Sequence, residues 1–221
     1  MKRKYILIPI AVATGFASYV AFHPGLAYAE PRMMAGKPTK MAEQASYTID
    51  PMHTSIYFEI THLGISKVHG RINKFEGKVI EDSKEMDKCS VNFKAQIGSI
   101  DTAVAARDEH LKKADFFDAE KFPELSFKSS KLVKSKDGYI VTGDLTIKDK
   151  TKKISIPFKH YGPLTLKGIG DQGTRIGVIA DPITIKRSDF GVGSTAPLPD
   201  GTIGASDEVI IRISLEATLD K

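Results

Sequence analysis

The chain has one cysteine and no tryptophan among its 221 residues. A lone thiol, Cys89, closes no intramolecular disulfide and supplies no cysteine cluster for zinc, so the fold must be held by its core. Net charge is also scarce. The formal balance is +5, yet residues 1–29 hold Lys2, Arg3 and Lys4 and no acid, leaving 29 basic against 27 acidic side chains, a net of +2. That excludes the basic footprint of a nucleic-acid-binding domain. After residue 29 no apolar run approaches the length of a membrane span, and the 18 glycines and 11 prolines are near average usage. Multi-span membrane, collagen-like and disordered classes are therefore excluded.

What is present at the start is a secretory signal: a basic n-region, an apolar run from Tyr5 to Val20, and small residues at Ala27 and Ala29. The expected cleavage after Ala29 sends the chain to the periplasm. An uncleaved membrane anchor is the competing reading, but His23, Pro24 and Gly25 break the run where a signal needs an extended cleavage region. No cysteine lies near the cleavage point to carry a lipid anchor. Residues 30–46, with Pro31 and Pro38, read as a mobile leader before a domain spanning residues 47–221.

From Tyr47 onward the hydrophobic period is two. Ile56, Phe58 and Ile60 alternate with Tyr57 and Glu59, and Cys89, Val91, Phe93, Ala95 and Ile97 alternate with polar residues. Similar alternation recurs over 139–147, 154–158 and 209–215, with shorter candidates at 75–80, 125–133, 164–168, 175–179 and 183–187. Only 102–117, free of Gly and Pro and carrying four alanines, argues for a helix. The class is all-β, and eight to ten half-buried antiparallel strands can close as a barrel or stack as a sandwich.

Several motifs then fall in a distinctive order. His62-Leu63-Gly64-Ile65-Ser66-Lys67-Val68-His69-Gly70 is followed by Ser99-Ile100-Asp101-Thr102, Arg107-Asp108-Glu109-His110-Leu111 and Asp115-Phe116-Phe117-Asp118. Next come Phe122-Pro123-Glu124-Leu125-Ser126-Phe127, Gly143-Asp144-Leu145-Thr146-Ile147-Lys148 and Lys186-Arg187-Ser188-Asp189-Phe190-Gly191. Together they resemble the YceI-like polyisoprenoid-binding family. The resemblance implies a lipocalin-like antiparallel β-barrel of about eight strands with a short helical lid, an interior that holds a long isoprenoid, quinone or similar amphiphile, and sometimes a homodimer. No cofactor, no nucleic-acid partner and no catalysis are expected, and transient membrane contact is compatible with a lipid ligand. Asp149 departs from the family's usual glycine after the Leu-Thr-Ile-Lys run, and the Gly-x-Trp signature of true lipocalins is missing.

Inward positions read from the alternation, Phe58, Ile60, Phe75, Val91, Phe93, Phe127, Leu145, Ile147 and Phe158, can enclose an apolar chain or can fill the barrel completely, and periodicity leaves both open. Phe116 and Phe117 would lie across the mouth as a lid. Arg187 with Asp189 is the candidate polar end, where a guanidinium could meet a phosphate or quinone oxygen, or could instead form an internal pair that fixes a loop.

Enzyme readings have thinner support. Gly168-x-Gly170-x-x-Gly173 matches a dinucleotide fingerprint as a string, but a strand pattern follows where a helix is required, so it reads as a hairpin turn. No Gly-x-Ser-x-Gly elbow and no His-Glu-x-x-His pair occurs. His62, His69 and His110 are the alternative, a metal-dependent site, although their spacings match no ligand period. A filled barrel acting only as a dimeric interaction module is a third reading.

Overall fold

A computed structural model describes residues 43–167 and 172–221. The signal segment and nearly all of the leader lie outside the described residues. Among those described, no helix is long and apolar enough to cross a membrane.

The strands follow in chain order as β1 (Gln44–Ile49), β2 (Ser55–His62), β3 (Ser66–Ile72), β4 (Phe75–Asp82), β5 (Ser90–Gln96) and β6 (Ile100–Asp101). After helix α1 (Ala105–Leu111) come β7 (Glu124–Ser135), β8 (Gly138–Ile147), β9 (Lys150–Leu166), β10 (Gly173–Ala180), β11 (Ile183–Lys186) and β12 (Ala205–Leu219). Eight of them close a ring of antiparallel neighbours, β1-β4-β5-β7-β8-β9-β10-β12 and back to β1. Closure removes the sheet edges, which settles barrel against sandwich. The joint is made by β12, whose last residues pair with β1 on one side and β10 on the other. Its first half carries β11 and the β2-β3-β6 extension.

Alternation decides what faces inward. On β8, Val141, Leu145 and Ile147 are buried while Asp144 pairs outside with Lys153 at 2.8 Å. Lys94 likewise faces Glu124 at 3.4 Å, and Glu59 faces Lys67 at 3.1 Å. Tyr47, Ile49, Val79, Ile176 and Ala217 form one packed cluster where the ring closes. Phe127, Val141, Leu145, Ile147, Ile156, Phe190 and Val192 form a second along the opposite wall.

Three expectations about elements need correction. β1 starts at Gln44, so residues 44–46 belong to the barrel and not to the leader. Residues 164–166 are no separate strand but the end of β9, and residue 168 of that candidate lies outside the described residues. β9 runs through Pro163 for 17 residues, and the proline is accommodated at a register shift between Arg175 and Gly177 of β10, where a missing N–H costs no ladder bond. The helix covers only 7 residues of 102–117. Asp108 Oδ1 accepts from both the Thr102 amide (2.8 Å) and the Thr102 hydroxyl (2.5 Å), which stops the chain being helical before α1. Beyond Leu111 the chain folds into successive turns. The glycine-rich string falls in the β9-β10 connection, where Leu166 pairs with Gly173, and its residues 168–171 lie outside the described residues.

Candidate functional site

The barrel encloses a cavity of about 1170 Å³ with a predominantly apolar wall. Phe58, Ile60, Val91, Phe93, Phe116, Phe117, Phe127, Leu145, Ile147, Phe158 and Arg187 all line it. Two of the rings, Phe58 and Phe127, fold over glycines of neighbouring strands. A Cβ on Gly70 would sit 2.2 Å from Phe58 Cζ, and one on Gly143 would sit 2.5 Å from Phe127 Cζ. Each glycine gives up its side-chain volume to a neighbouring strand's ring, so Phe58 and Phe127 pave the tunnel instead of plugging it.

Two expected site residues are placed elsewhere. Phe75, at the start of β4, has its ring 5.8 Å from Phe93 but packs toward the closing cluster and a shallow cleft beside residues 51–57 and 71–73. Asp189 is on a single 3-10 turn, Arg187–Phe190, which breaks the period-two pattern: Arg187 and Phe190 turn inward, whereas Asp189 is exposed with its carboxylate 3.7 Å from Lys152. Nor is Arg187 free for a ligand or paired with Asp189. Its Nε donates to Ser206 O (2.9 Å), Nη1 to Val192 O (2.9 Å) and Nη2 to Ser194 O (2.8 Å) and Ala205 O (3.1 Å), with 7% of the residue exposed. The buried guanidinium fastens the loop over 192–206 to the barrel through carbonyl oxygens.

At the mouth, α1 and the turns after it bring Arg107, His110, Leu111, Phe116 and Phe117 over the opening, facing His62 and Leu63 from β2 and its turn. Polar groups here are largely spent on one another. Arg107 donates to the hydroxyl and carbonyl of Thr102, both at 2.7 Å, and His110 Nε2 lies 2.9 Å from Asp115, whose carboxyl it holds below the usual range. The His110 ring meets Phe116 edge to face at 4.9 Å.

The far end differs, and the sequence reading missed it. Glu81 of β4 and His160 of β9 both face the lumen, with Oε1 and Nε2 2.7 Å apart and side chains 18% and 23% exposed. Tyr139 stacks on Phe158 at 5.6 Å and approaches His160 edgewise at 6.4 Å. Burial, with the Glu81 charge second, pushes the Tyr47 phenol up to about 12. Cys89, which also lines this end, has its thiol pushed up mainly by burial and takes the Asp82 amide at 3.2 Å. The missed signal was parity: Glu81 and His160 occupy inward positions two residues after Val79 and Phe158.

The histidines of the metal reading do not converge. His62 lines the tunnel, while His69 stands on the outer face of β3 beside Glu59 at 3.9 Å. Among the described residues one group has metal-ligand spacing, Asp50, His53 and Glu216. There the Arg175 guanidinium already contacts both carboxylates, at 3.0 Å from Asp50 and closer to Glu216, and fills the place a cation would take.

An antiparallel barrel closed around a long apolar cavity, with a lid over one mouth, is thus the architecture of this chain. Residues 47–217 match the YceI-like domain, and the chain belongs to that family. Protein YceI from Escherichia coli is 34% identical over 203 residues, covering 89% of this chain and 97% of the relative. The crystal structure of Burkholderia cenocepacia BcnA superposes with a TM-score of 0.65 at 24% identity, over 77% of this chain and 99% of that one. A polyisoprenoid binding domain from Saccharophagus degradans superposes with a TM-score of 0.59 at 13% identity, over 80% and 99%.

Proposed function

We propose that the protein binds a long-chain apolar lipid, a polyisoprenoid, isoprenoid quinone or similar amphiphile, inside the barrel and carries or sequesters it in the periplasm. The observation that carries this reading is the cavity: about 1170 Å³ of mainly apolar space, more than an ordinary small-molecule pocket requires. The description of the Saccharophagus domain as polyisoprenoid-binding supports the same ligand class.

Energetics set the mode of action. Leaving water would stabilise a chain of about forty carbons by roughly 30 kcal/mol at ~0.8 kcal/mol per CH₂, beyond any non-covalent affinity. The relevant competitor is therefore the bilayer, where the chain is already dry, and the barrel exchanges lipid with a membrane on nearly level terms.

The mouth suits that exchange. Leu63, Ile65, Leu198 and Ile203 are 37%, 85%, 46% and 48% exposed. Leu63 stands in a turn at φ +51°, a conformation favoured by Asn or Gly, and its amide donates to Gly204 O at 3.0 Å, tying the turn to the loop that carries Leu198 and Ile203. These side chains make transient contact with the lipid surface during loading. Extraction and mass spectrometry of protein purified from its own cells tests the reading. A stoichiometric long-chain lipid supports it, and lipid-free protein that takes up none from vesicles overturns it.

A further inference from the structure

Every strand of the ring can be placed relative to the lumen, and this gives the Glu81–His160 pair an unusual position. β4 and β9 are not neighbours. Three strands separate them one way round the ring, β5, β7 and β8, and three the other way, β10, β12 and β1. The two side chains therefore reach toward each other across the tunnel from opposite walls. They do so where the lining changes from Val79, Val91, Val141 and Phe158 to Ser90, Lys134 and Lys84.

The pair is also chemically incomplete. Nε2 of His160 is buried and, although 2.7 Å from Glu81, has no partner in hydrogen-bond geometry. Neither side chain has another hydrogen-bond partner among the described residues. Arg187 and Arg107 at the mouth, by contrast, are occupied by backbone carbonyls and Thr102. Polar groups facing an apolar lumen are costly unless something completes them, and water or a ligand must do so here.

Resting on the lipid-binding reading, we propose that Glu81 and His160 form the head-group site of the tunnel, selecting an uncharged hydroxyl-bearing head, an alcohol or phenol at the end of an apolar chain, over a phosphate. A hydroxyl has one proton to donate and two lone pairs. It donates to the Glu81 carboxylate and accepts from the imidazole N–H, so a single oxygen completes both walls. A phosphate monoester at neutral pH is mainly a dianion, so it brings chiefly acceptors and negative charge to the Glu81 carboxylate. Lys84 at the rim is engaged by Glu43 at 2.7 Å, leaving Lys134, which is exposed, as the cation an anionic head could use. The head group thus lies at the end away from the lid, and the chain extends from it toward Phe116 and Phe117.

The test is competition in one vesicle preparation containing a C30 isoprenoid hydrocarbon, the corresponding prenyl alcohol and its monophosphate, followed by extraction of what the protein retains. The wild type is expected to enrich the alcohol about tenfold over the hydrocarbon, some 1.4 kcal/mol, and to retain less phosphate than alcohol. In Glu81→Gln and His160→Phe the alcohol-to-hydrocarbon ratio falls toward that of the vesicles. His160→Phe keeps an aromatic ring beside Tyr139, and retained hydrocarbon reports an intact barrel in each variant. Equal retention of hydrocarbon and alcohol by the wild type, phosphate retained best, or ratios unmoved by both substitutions would overturn the head-group site alone. Retention of none of the three would overturn the lipid-binding reading beneath it.

Discussion

The ammonium of Lys148 donates to the carbonyl of Phe116 at 2.9 Å and, from the same nitrogen, to the carbonyl of Gly191 at 3.0 Å. Lys148 sits in the two-residue turn between β8 and β9 at φ +58°, so the turn beside the departing Asp149 is made by a lysine in the left-handed region, and its side chain pins the lid to the barrel. Lys148→Met keeps the aliphatic stem and removes both charge-assisted bonds, each worth about 1.5–3 kcal/mol. Lipid release to acceptor vesicles should become several-fold faster with little change in the amount bound at equilibrium. An unaltered release rate would show that the lid does not limit exchange.

The paving of the tunnel makes a second prediction. Because a Cβ on Gly70 would overlap the Phe58 ring, Gly70→Ala must swing that ring toward the lumen. Overpacking of this kind costs about 1–3 kcal/mol. In the double variant with Phe58→Leu the clash is relieved, so stability measured by denaturant should recover part of that loss. Additive losses in the double variant would mean that ring and glycine do not interact.

Much of this was legible in the sequence because a barrel strand with one wet face writes its orientation in every second residue. Eleven of thirteen site residues read from parity and motif order line the cavity. The exceptions lie where parity fails: Phe75 opens its strand beside a loop cleft, and Asp189 sits on a 3-10 turn. Whether the phenylalanines fill or pave the barrel was not legible, since it depends on which glycine of a neighbouring strand lies beneath each ring. Arg187 could not be assigned either, because backbone carbonyls from residues 192–206 leave no trace in side-chain pattern. Glu81 and His160 were readable as polar residues at inward positions, but their meeting depends on ring closure, which joins segments far apart in the chain.

Tyr47 and Glu81 give a prediction in alkali. The buried phenol is raised to about 12, chiefly by burial and then by the Glu81 charge. A phenol in the unfolded chain ionises near 10. The unfolded state therefore loses its proton first, and Tyr47's contribution to stability is whole below about pH 10 and disappears as pH rises toward 12. Glu81→Gln removes the negative neighbour and should lower the Tyr47 value without returning it to 10. The difference in phenolate absorbance between Glu81→Gln and wild type, titrated from pH 9 upward, checks this, and superimposable curves would refute the coupling.

Acid should loosen the barrel at its closing strands. Asp220, next to the end of β12, accepts hydrogen bonds from Lys78 (2.7 Å), Ser46 (2.6 Å) and Thr48 (2.5 Å), which hold its carboxyl far below the usual range. A depressed folded value means stability that is present above the unfolded value, about 3.9, and is lost as pH falls toward the folded one. Asp220→Asn should lower the melting temperature at pH 7, and the gap from wild type should narrow steadily below about pH 4. A gap independent of pH would assign the loss to packing.

The tunnel itself is tested by changing its volume in both directions. Phe93 and Ala95 are successive inward residues of β5, and both line the cavity, Ala95 with 1% of its surface exposed. In a filled core Phe93→Ala would cost about 3–5 kcal/mol, because a cavity opens that nothing occupies. Here the space adjoins a tunnel that an apolar chain can enter, so the loss should be smaller with lipid bound and should grow when lipid is extracted. Ala95→Phe must push a ring past the side chains packed over Ala95 before it reaches the lumen, so the lipid-free fold should lose about 1–3 kcal/mol yet survive, while bound lipid, measured by mass spectrometry, falls sharply. The two variants separate the readings through opposite signs: lipid protects Phe93→Ala and is excluded from Ala95→Phe. Severe destabilisation of both, with no lipid in either or in the wild type, would mean that the barrel works as a filled module.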